Sequence, residues 1–202
     1  MFHAHVLRHA RSFFNVGIEN CTAIAMLTAM RLESSDLHRL KAAVGWLELG
    51  NAAEALKELD DMSFTSQEHS DVLEARWLAL ARLMRWEAAA KVGRKLIAAA
   101  PERSVGWLHH SYALRRAPNG GLLAAFNALA PVAERFPREA IIPYNLACYT
   151  CQLQREPSET ITWLERAMVA GDRKEILAMA IKDPDLEPLR AEIAKLAKKL
   201  KA

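Results

Sequence analysis

The residues with the clearest chemical potential are the two cysteines of the run Cys148-Tyr149-Thr150-Cys151. Two cysteines separated by two residues have the spacing of a redox dithiol or of half a metal site. No second Cys/His pair accompanies them in the pattern, and the run falls inside a helical segment and not at its start. We therefore expect structural cysteines, and redox or metal chemistry remains the alternative.

Two groups of histidines are the next candidates. His3, His5 and His9 lie close together near the start of the chain, where three imidazoles would be able to coordinate a metal. We expect this isolated cluster to be incidental. His109 and His110 are adjacent, and neighbouring positions on a helix point in different directions, so they do not form a site together.

No catalytic motif accompanies these residues. The sequence has no phosphate loop, no HExxH helix and no serine elbow, and its carboxylates are scattered over segments expected to be exposed. We therefore expect no enzyme activity, no cofactor, no bound metal and no small-molecule substrate.

The composition favours an all-α protein. Of 202 residues, 51% are hydrophobic and 25% charged, and eight Gly and eight Pro are few for a fold of many short strands. Three cysteines are an odd number and too few for a disulfide framework, which suggests a reducing compartment. No apolar run reaches the roughly 18 residues of a membrane helix, so we expect a cytoplasmic protein with no membrane partner.

The net charge of +3 is mild, and much of the excess lies in the C-terminal tail, at Lys195, Lys198, Lys199 and Lys201. Such a charge supports solubility more readily than it indicates nucleic-acid binding. Nucleic acid is therefore not the expected partner.

Helix-forming segments recur in pairs along the chain. Ala89 follows Ala55 by 34 residues in a similar setting, and Pro137 follows Pro101 by 36 because the turn Pro118-Asn119-Gly120-Gly121 is longer. The periodicity predicts four helix pairs over about residues 36–67, 70–101, 104–137 and 140–170. Pro143 fits only if it lies in the first turn of its helix, where a missing amide costs nothing.

Several residues mark where these helices begin and end. Ser35 or Asp36 is expected to cap the first helix, and Asp172 with Glu175 has the spacing of a capping box. We predict one helix from Leu122 to Phe136, and a last helix that starts at Asp183-Pro184. The apolar face of that last helix consists of Leu186, Leu189, Ile193, Leu196 and Leu200, and residues 172–200 thereby cap the final pair.

Residues 1–29 do not fit the repeat. They contain the apolar-leaning run Ser12-Phe13-Phe14-Asn15-Val16-Gly17-Ile18, which is not clean enough for a secretory signal. We expect a weakly ordered extension or a misassigned start codon, followed by one domain over residues 30–202.

The helix pairs resemble the tetratricopeptide repeat (TPR). Trp107 stands at the early aromatic site, and Pro101 and Pro137 stand at exit turns. Small residues occupy the sites where helices cross: Ala43, Ser111, Ala147, Ala55, Ala89 and Ala125. The resemblance implies a right-handed α-solenoid of about four TPR-like helix pairs with C-terminal capping helices. The runs Asn145–Tyr149, Trp163–Ala167 and Asp183–Leu189 are similar to the closing repeat of small stand-alone bacterial TPR proteins.

In TPR proteins the first helix of each pair lines a concave groove that takes up a peptide or a partner helix. The resemblance and helical spacing together place these residues in that groove: Arg82, His109, Tyr112, Arg115, Arg116, Tyr144, Asn145 and Gln152. Arg115, Arg116, Tyr112 and Asn145 are expected to hold an acidic or extended peptide. Leu40 and Val44 replace the Lys and Asn of the carboxylate clamp of chaperone-binding TPR domains, so chaperone tails are not expected ligands.

Three functional hypotheses follow. The first is a protein-binding adaptor whose partner is an unknown protein or peptide, with an acidic peptide as one option. The second is a helical repeat associated with RNA or another nucleic acid, which uses the tail lysines and the groove arginines. The third is a structural subunit that stacks on itself, suggested by Trp46 and the apolar run near the N-terminus.

Overall fold

Residues of high helix propensity dominate the chain, and the computed structural model, which describes residues 32–199, consists of helices joined by turns and short loops. It contains ten α-helices and no strand between residues 32 and 199. They are α1 (Ser34–Glu48), α2 (Ala52–Asp60), α3 (Ser70–Arg82), α4 (Trp86–Ala99), α5 (Ser104–Arg116), α6 (Leu122–Leu129), α7 (Ile141–Gln152), α8 (Pro157–Ala170), α9 (Arg173–Lys182) and α10 (Arg190–Lys199). The expected all-α class is confirmed.

Three short 3₁₀ helices join these elements: Ser66–Glu68, Ala130–Val132 and Pro184–Leu189. The expected extension over residues 1–29, with its three histidines, lies outside the described residues, and so does Leu200. Along the described part of the chain, every helix is too short or too polar to cross a bilayer.

Consecutive helices pack in pairs, α1 with α2, α3 with α4, α5 with α6 and α7 with α8, which gives a repeat-like arrangement. The small residues of the repeat pattern allow the close approach, because Ala43, Ala55, Ala89, Ala125 and Ala147 have no exposed surface. Gly93 serves the contact between α4 and α5. A Cβ there would lie 2.8 Å from the Cα of His110, so only glycine fits.

The turns inside three of the four pairs have the same hydrogen-bonding pattern. A residue with positive φ ends each first helix: Gly50 at 83°, Met84 at 55° and Gln154 at 54°. The N–H of this residue donates to the carbonyl three residues earlier. The N–H of the following residue donates to the carbonyl five residues before it, as in a Schellman motif. The remaining pair differs: there Gly121 donates to Leu114, seven residues back, after the longer turn.

The predicted helix from Leu122 to Phe136 is wrong at its C-terminal end. α6 ends at Leu129, and Ala130–Val132 forms a 3₁₀ turn. Pro131 explains the difference, because it has no N–H to donate and its ring clashes with the carbonyl four residues earlier.

The expected cap of the first helix is also wrong. α1 begins after Glu33 without a side-chain cap, and Asp36 lies within the helix and is buried. The Asp36 carboxylate accepts a 2.6 Å hydrogen bond from Ser63 Oγ and further bonds from the Ser63 N–H. These bonds, with one from Ser66, lower the pKa of Asp36. Asp36 therefore ties the loop after α2 to α1.

The last predicted helix starts later than expected. Asp183 caps the 3₁₀ helix Pro184–Leu189, and α10 begins at Arg190. Pro188 interrupts the segment because it cannot donate a helical hydrogen bond. Two other expectations are confirmed: Asp172 accepts a 2.8 Å bond from the Glu175 N–H, and Pro143 lies in the first turn of α7. Asp183–Leu189 is called the closing segment below.

Candidate functional site

The closing segment packs against α7 and occupies part of the predicted groove. Its Asp185 carboxylate accepts two hydrogen bonds from the Arg115 guanidinium, of 2.5 and 2.7 Å. Gln152 donates a 2.8 Å bond to the main-chain carbonyl of Asp185, and the Tyr144 hydroxyl donates a 2.9 Å bond to Asp183. Three predicted groove residues, Arg115, Tyr144 and Gln152, thus bind an acidic segment of the chain itself.

A fully buried side chain anchors this segment. Leu186 has no exposed surface, and Ile193 in α10 is equally buried. Burying a leucine stabilises a fold by about 1.5–3 kcal/mol. The polar contacts of Asp183 and Asp185 therefore lie beside an apolar anchor.

The two cysteines of the Cys-x-x-Cys run are free and buried on α7. Burial raises the pKa of Cys148 well above its usual range, and the charges of Asp183 and Asp185 raise it further. Burial and the same two carboxylates also raise the pKa of Cys151. Since the thiolate is the reactive form, this environment disfavours redox chemistry.

Cys148, Asp183 and Asp185 also place one possible metal-binding atom each within 4.8 Å of one another. Those carboxylates already accept hydrogen bonds from Tyr144 and Arg115. A cation would have to displace a guanidinium from Asp185. The cluster therefore acts as a hydrogen-bonded network.

A second cluster lies where α3 meets α5. The Trp77 and His109 rings are stacked, with centroids 3.7 Å apart and planes within 5°. Both side chains are buried, and neither Trp77 Nε1 nor His109 Nε2 has a hydrogen-bond partner among the described residues. Burial, together with the charge of Arg103, lowers the pKa of His109 to about 3. His109 is therefore a neutral ring in the core.

Next to this pair lies the aromatic clamp, which consists of Trp86, Tyr112 and Arg116. The Arg116 guanidinium carbon is 3.6 Å from the centroid of the Tyr112 ring and 5.4 Å from that of Trp86. The two rings meet edge to face, with centroids 5.9 Å apart. Arg116 Nη1 donates a 3.3 Å bond to the Tyr112 carbonyl. Arg116 forms no ion pair within residues 32–196.

The other predicted groove residues lie apart from these clusters. Arg82 donates to the Leu47 carbonyl in the last turn of α1, and burial lowers its pKa. Arg82 therefore caps the C-terminal end of α1, because the last carbonyls of a helix have no hydrogen-bond partner within the helix. Asn145 is buried on α7.

Two acidic residues of α3 form ion pairs with a residue that the sequence pattern did not single out. Arg103 donates to Asp71 at 3.0 Å and to Glu74 at 2.5 Å. Burial nevertheless raises the pKa of Glu74. Trp86 and Asp185 are further residues that sequence reasoning missed as parts of the site. The sequence did contain one signal for Trp86, which is its position as an aromatic residue at the start of the second helix of a pair.

No protein-family model matches this sequence, and no curated protein matches it either. The protein is thus defined at the level of its architecture, as an all-α chain of repeat-like helix pairs. Membership of the TPR family stays a prediction that rests on the repeat residues.

Proposed function

We propose that this chain is a non-catalytic adaptor of the TPR type, a right-handed solenoid of about four helix pairs capped by residues 172–200. Its partner, a protein or peptide, binds the inner face, defined as the side of α3, α5 and α7 that carries the predicted groove residues. The recurring turns at Gly50, Met84 and Gln154 and the buried alanines at the helix crossings support the repeat assignment.

One observation carries the proposal. The inner face already holds a stretch of polypeptide, the closing segment, by the contacts that a peptide site uses. Arg115 recognises a side-chain carboxylate, and Gln152 recognises a main-chain carbonyl. These contacts on α5 and α7 support the peptide-binding proposal. Two residues of the aromatic clamp, Tyr112 and Arg116, lie in the second half of α5.

The nucleic-acid alternative has less support. Binding to a phosphate backbone requires several unneutralised cations, each of which contributes through counterion release. Arg103 and Arg115, which lie on or beside α5, already form ion pairs with acidic residues. Self-association rests on Trp46, which is half-buried, and on the N-terminal apolar run, which lies outside the described residues, so it gains no further support here.

Site-specific photo-cross-linking tests the adaptor proposal. A photoreactive phenylalanine analogue is placed in the full chain at Leu78 or Leu108, which are half-buried on α3 and α5, or at the exposed outer positions Lys91 and Arg94 of α4. The proteins are irradiated in a lysate of the source organism and the adducts are identified by mass spectrometry. We expect a protein adduct from the inner positions and not from the outer ones.

Two controls separate the alternatives. Nuclease treatment before irradiation removes adducts that depend on nucleic acid, and light scattering gives the mass of the protein in solution. Cross-links from the outer positions alone, adducts that disappear with nuclease, or a stable oligomer cross-linked only to itself would each contradict the adaptor function.

A further inference from the structure

We infer that the aromatic clamp is the anchor of the binding site and that its Arg116 recognises a carboxylate side chain of an acidic partner peptide. This inference rests on the proposed function and specifies the chemistry of its ligand. Arg116 differs in this respect from Arg115, which already binds a carboxylate of the same chain, that of Asp185.

The first argument is the hydrogen-bonding capacity of Arg116. A guanidinium has five N–H donors. In the described part of the chain, those of Arg116 find one acceptor, the Tyr112 carbonyl at 3.3 Å. The side chain is half-buried, and burial lowers its pKa, so its charge is poorly solvated. A half-buried cation with unused donors favours binding of an anion.

The second argument is the contrast with half-buried arginines that form ion pairs; Arg82 forms none within residues 32–196, but it caps α1 through the Leu47 carbonyl. Arg76 forms an ion pair with Asp60, Arg103 with Asp71 and Glu74, and Arg115 with Asp185. In each of these ion pairs, the charge of the arginine is neutralised by a carboxylate of the same chain. Arg116 has no such partner within residues 32–196, although it directly follows Arg115.

The third argument concerns the kind of anion. Beside Arg116, the positive charge of Arg115 is paired with the carboxylate of Asp185. The clamp therefore presents about one positive charge, which suits a single carboxylate and not the dense charge of a nucleic-acid backbone. Arg115 shows the geometry that fits, with two parallel bonds to one aspartate.

The fourth argument is preorganisation. The Tyr112 ring stacks under the guanidinium, and the Trp86 ring meets Tyr112 edge to face. This support fixes the plane of the guanidinium before a ligand arrives, so less conformational entropy is lost on binding. The half-buried Trp86 ring also provides an apolar surface for residues next to the carboxylate.

A peptide selection tests the inference. A phage-displayed library of random heptapeptides is selected on the full-length protein, and the best-binding peptide is synthesised with each Asp or Glu in turn replaced by Asn or Gln. Calorimetry then measures binding of each peptide to the wild type, to Arg116→Gln and to Arg94→Gln, whose altered residue is exposed on α4.

We expect the selected peptides to be enriched in Asp and Glu. Neutralising one of these carboxylates, or replacing Arg116, is expected to weaken binding by about tenfold or more, as for hydrogen bonds to charged groups. Binding of the neutralised peptide to Arg116→Gln should be no weaker than binding with either change alone. Arg94→Gln should bind the peptides like the wild type. Circular dichroism checks that Arg116→Gln remains folded.

Peptides that bind equally well to Arg116→Gln, or that lack acidic residues, would overturn the clamp assignment and leave the adaptor function standing. A selection that yields no peptide would also overturn the clamp assignment. The cross-linking experiment then decides independently whether the inner face binds a protein.

Discussion

His109 is held as a neutral ring in the core, and this has a consequence for stability. Its pKa is about 3 in the folded protein, against the ordinary value of 6.5. Between these two values the unfolded chain binds a proton and the folded protein does not. The free energy of unfolding therefore falls as the pH falls from 6.5 towards 3.

We predict that His109→Phe removes most of this dependence. A phenyl ring preserves the stack on Trp77 and cannot be protonated. From pH 7.5 to 5, the wild type should lose about 2 kcal/mol of stability through His109, and the variant should not. At pH 7.5 the variant should be at least as stable, because the buried Nε2 has no partner to lose.

Urea unfolding at the two pH values measures this difference. His38→Gln is the matched control, because His38 is exposed. Burial also lowers the pKa of His110, which adds a dependence of the same sign to every protein compared. An equal pH dependence in the wild type and His109→Phe would contradict the assignment of His109 to the core.

At the scale of elements, the turn between the helices of a pair is the repeated unit. Three turns end their first helix with a residue of positive φ, and only Gly50 among these residues is a glycine. At Met84 and Gln154 a side chain occupies a conformation in which Cβ crowds the neighbouring carbonyl, at a cost of about 1–2 kcal/mol. Both side chains are exposed, so packing does not offset this cost.

We predict that Met84→Gly and Gln154→Gly each stabilise the protein by about 0.5–1 kcal/mol, because glycine adopts positive φ without this crowding but loses more entropy on folding. Thermal or urea unfolding measures the effect. Ala99→Gly, an exposed site near the end of α4, should instead destabilise. Destabilisation by both turn substitutions would show that these turns do not require a left-handed residue.

The contact between α5 and the closing segment joins residues 70 positions apart. The Arg115 and Asp185 side chains are each about one-fifth exposed, so water screens their charges only partly. In a double-mutant cycle of Arg115→Ala and Asp185→Ala, we predict a coupling of about 1–2 kcal/mol, above that of an exposed pair.

Chemical denaturation of the four proteins of the cycle gives this coupling. The exposed pair Arg190 and Glu187 provides the matched cycle, for which we expect less than about 0.5 kcal/mol. Equal coupling in the two cycles would mean that Asp185 does not hold the closing segment on α5.

At the scale of the whole molecule, each helix packs mainly on its neighbours in the chain, as in repeat proteins. The closing segment is the exception, because it reaches back to α5 and α7. Its buried side chain, Leu186, should therefore determine how firmly the closing segment is held against α7.

We predict that Leu186→Ala destabilises the protein by about 2–5 kcal/mol and exposes α7. Cys148, which lies under the segment, should then react faster with N-ethylmaleimide, as followed by mass spectrometry of its peptide. Leu123→Ala is the matched control, since Leu123 is 54% exposed. Unchanged labelling of Cys148 in Leu186→Ala would show that the segment does not protect this face.

The helical architecture could be predicted from the sequence because its causes are local. Helix propensity and apolar spacing act within one or two turns of the chain, and the small residues let each helix pack on its neighbour in sequence. α5 begins at Ser104, where the third predicted helix pair also begins. The errors at α6 and at Asp183 came from giving Pro131 and Pro188 too little weight as helix breakers.

The roles of individual side chains were decided only by the tertiary structure. Arg115 and Arg116 are identical and adjacent in sequence, yet one binds Asp185 and the other stacks on Tyr112. His109 was expected in the groove and lies in the core against Trp77. The sequence by itself determined where helices form, since those forces act locally. Which charges are neutralised depends on distances through space between residues far apart in the chain, and only the folded structure sets them.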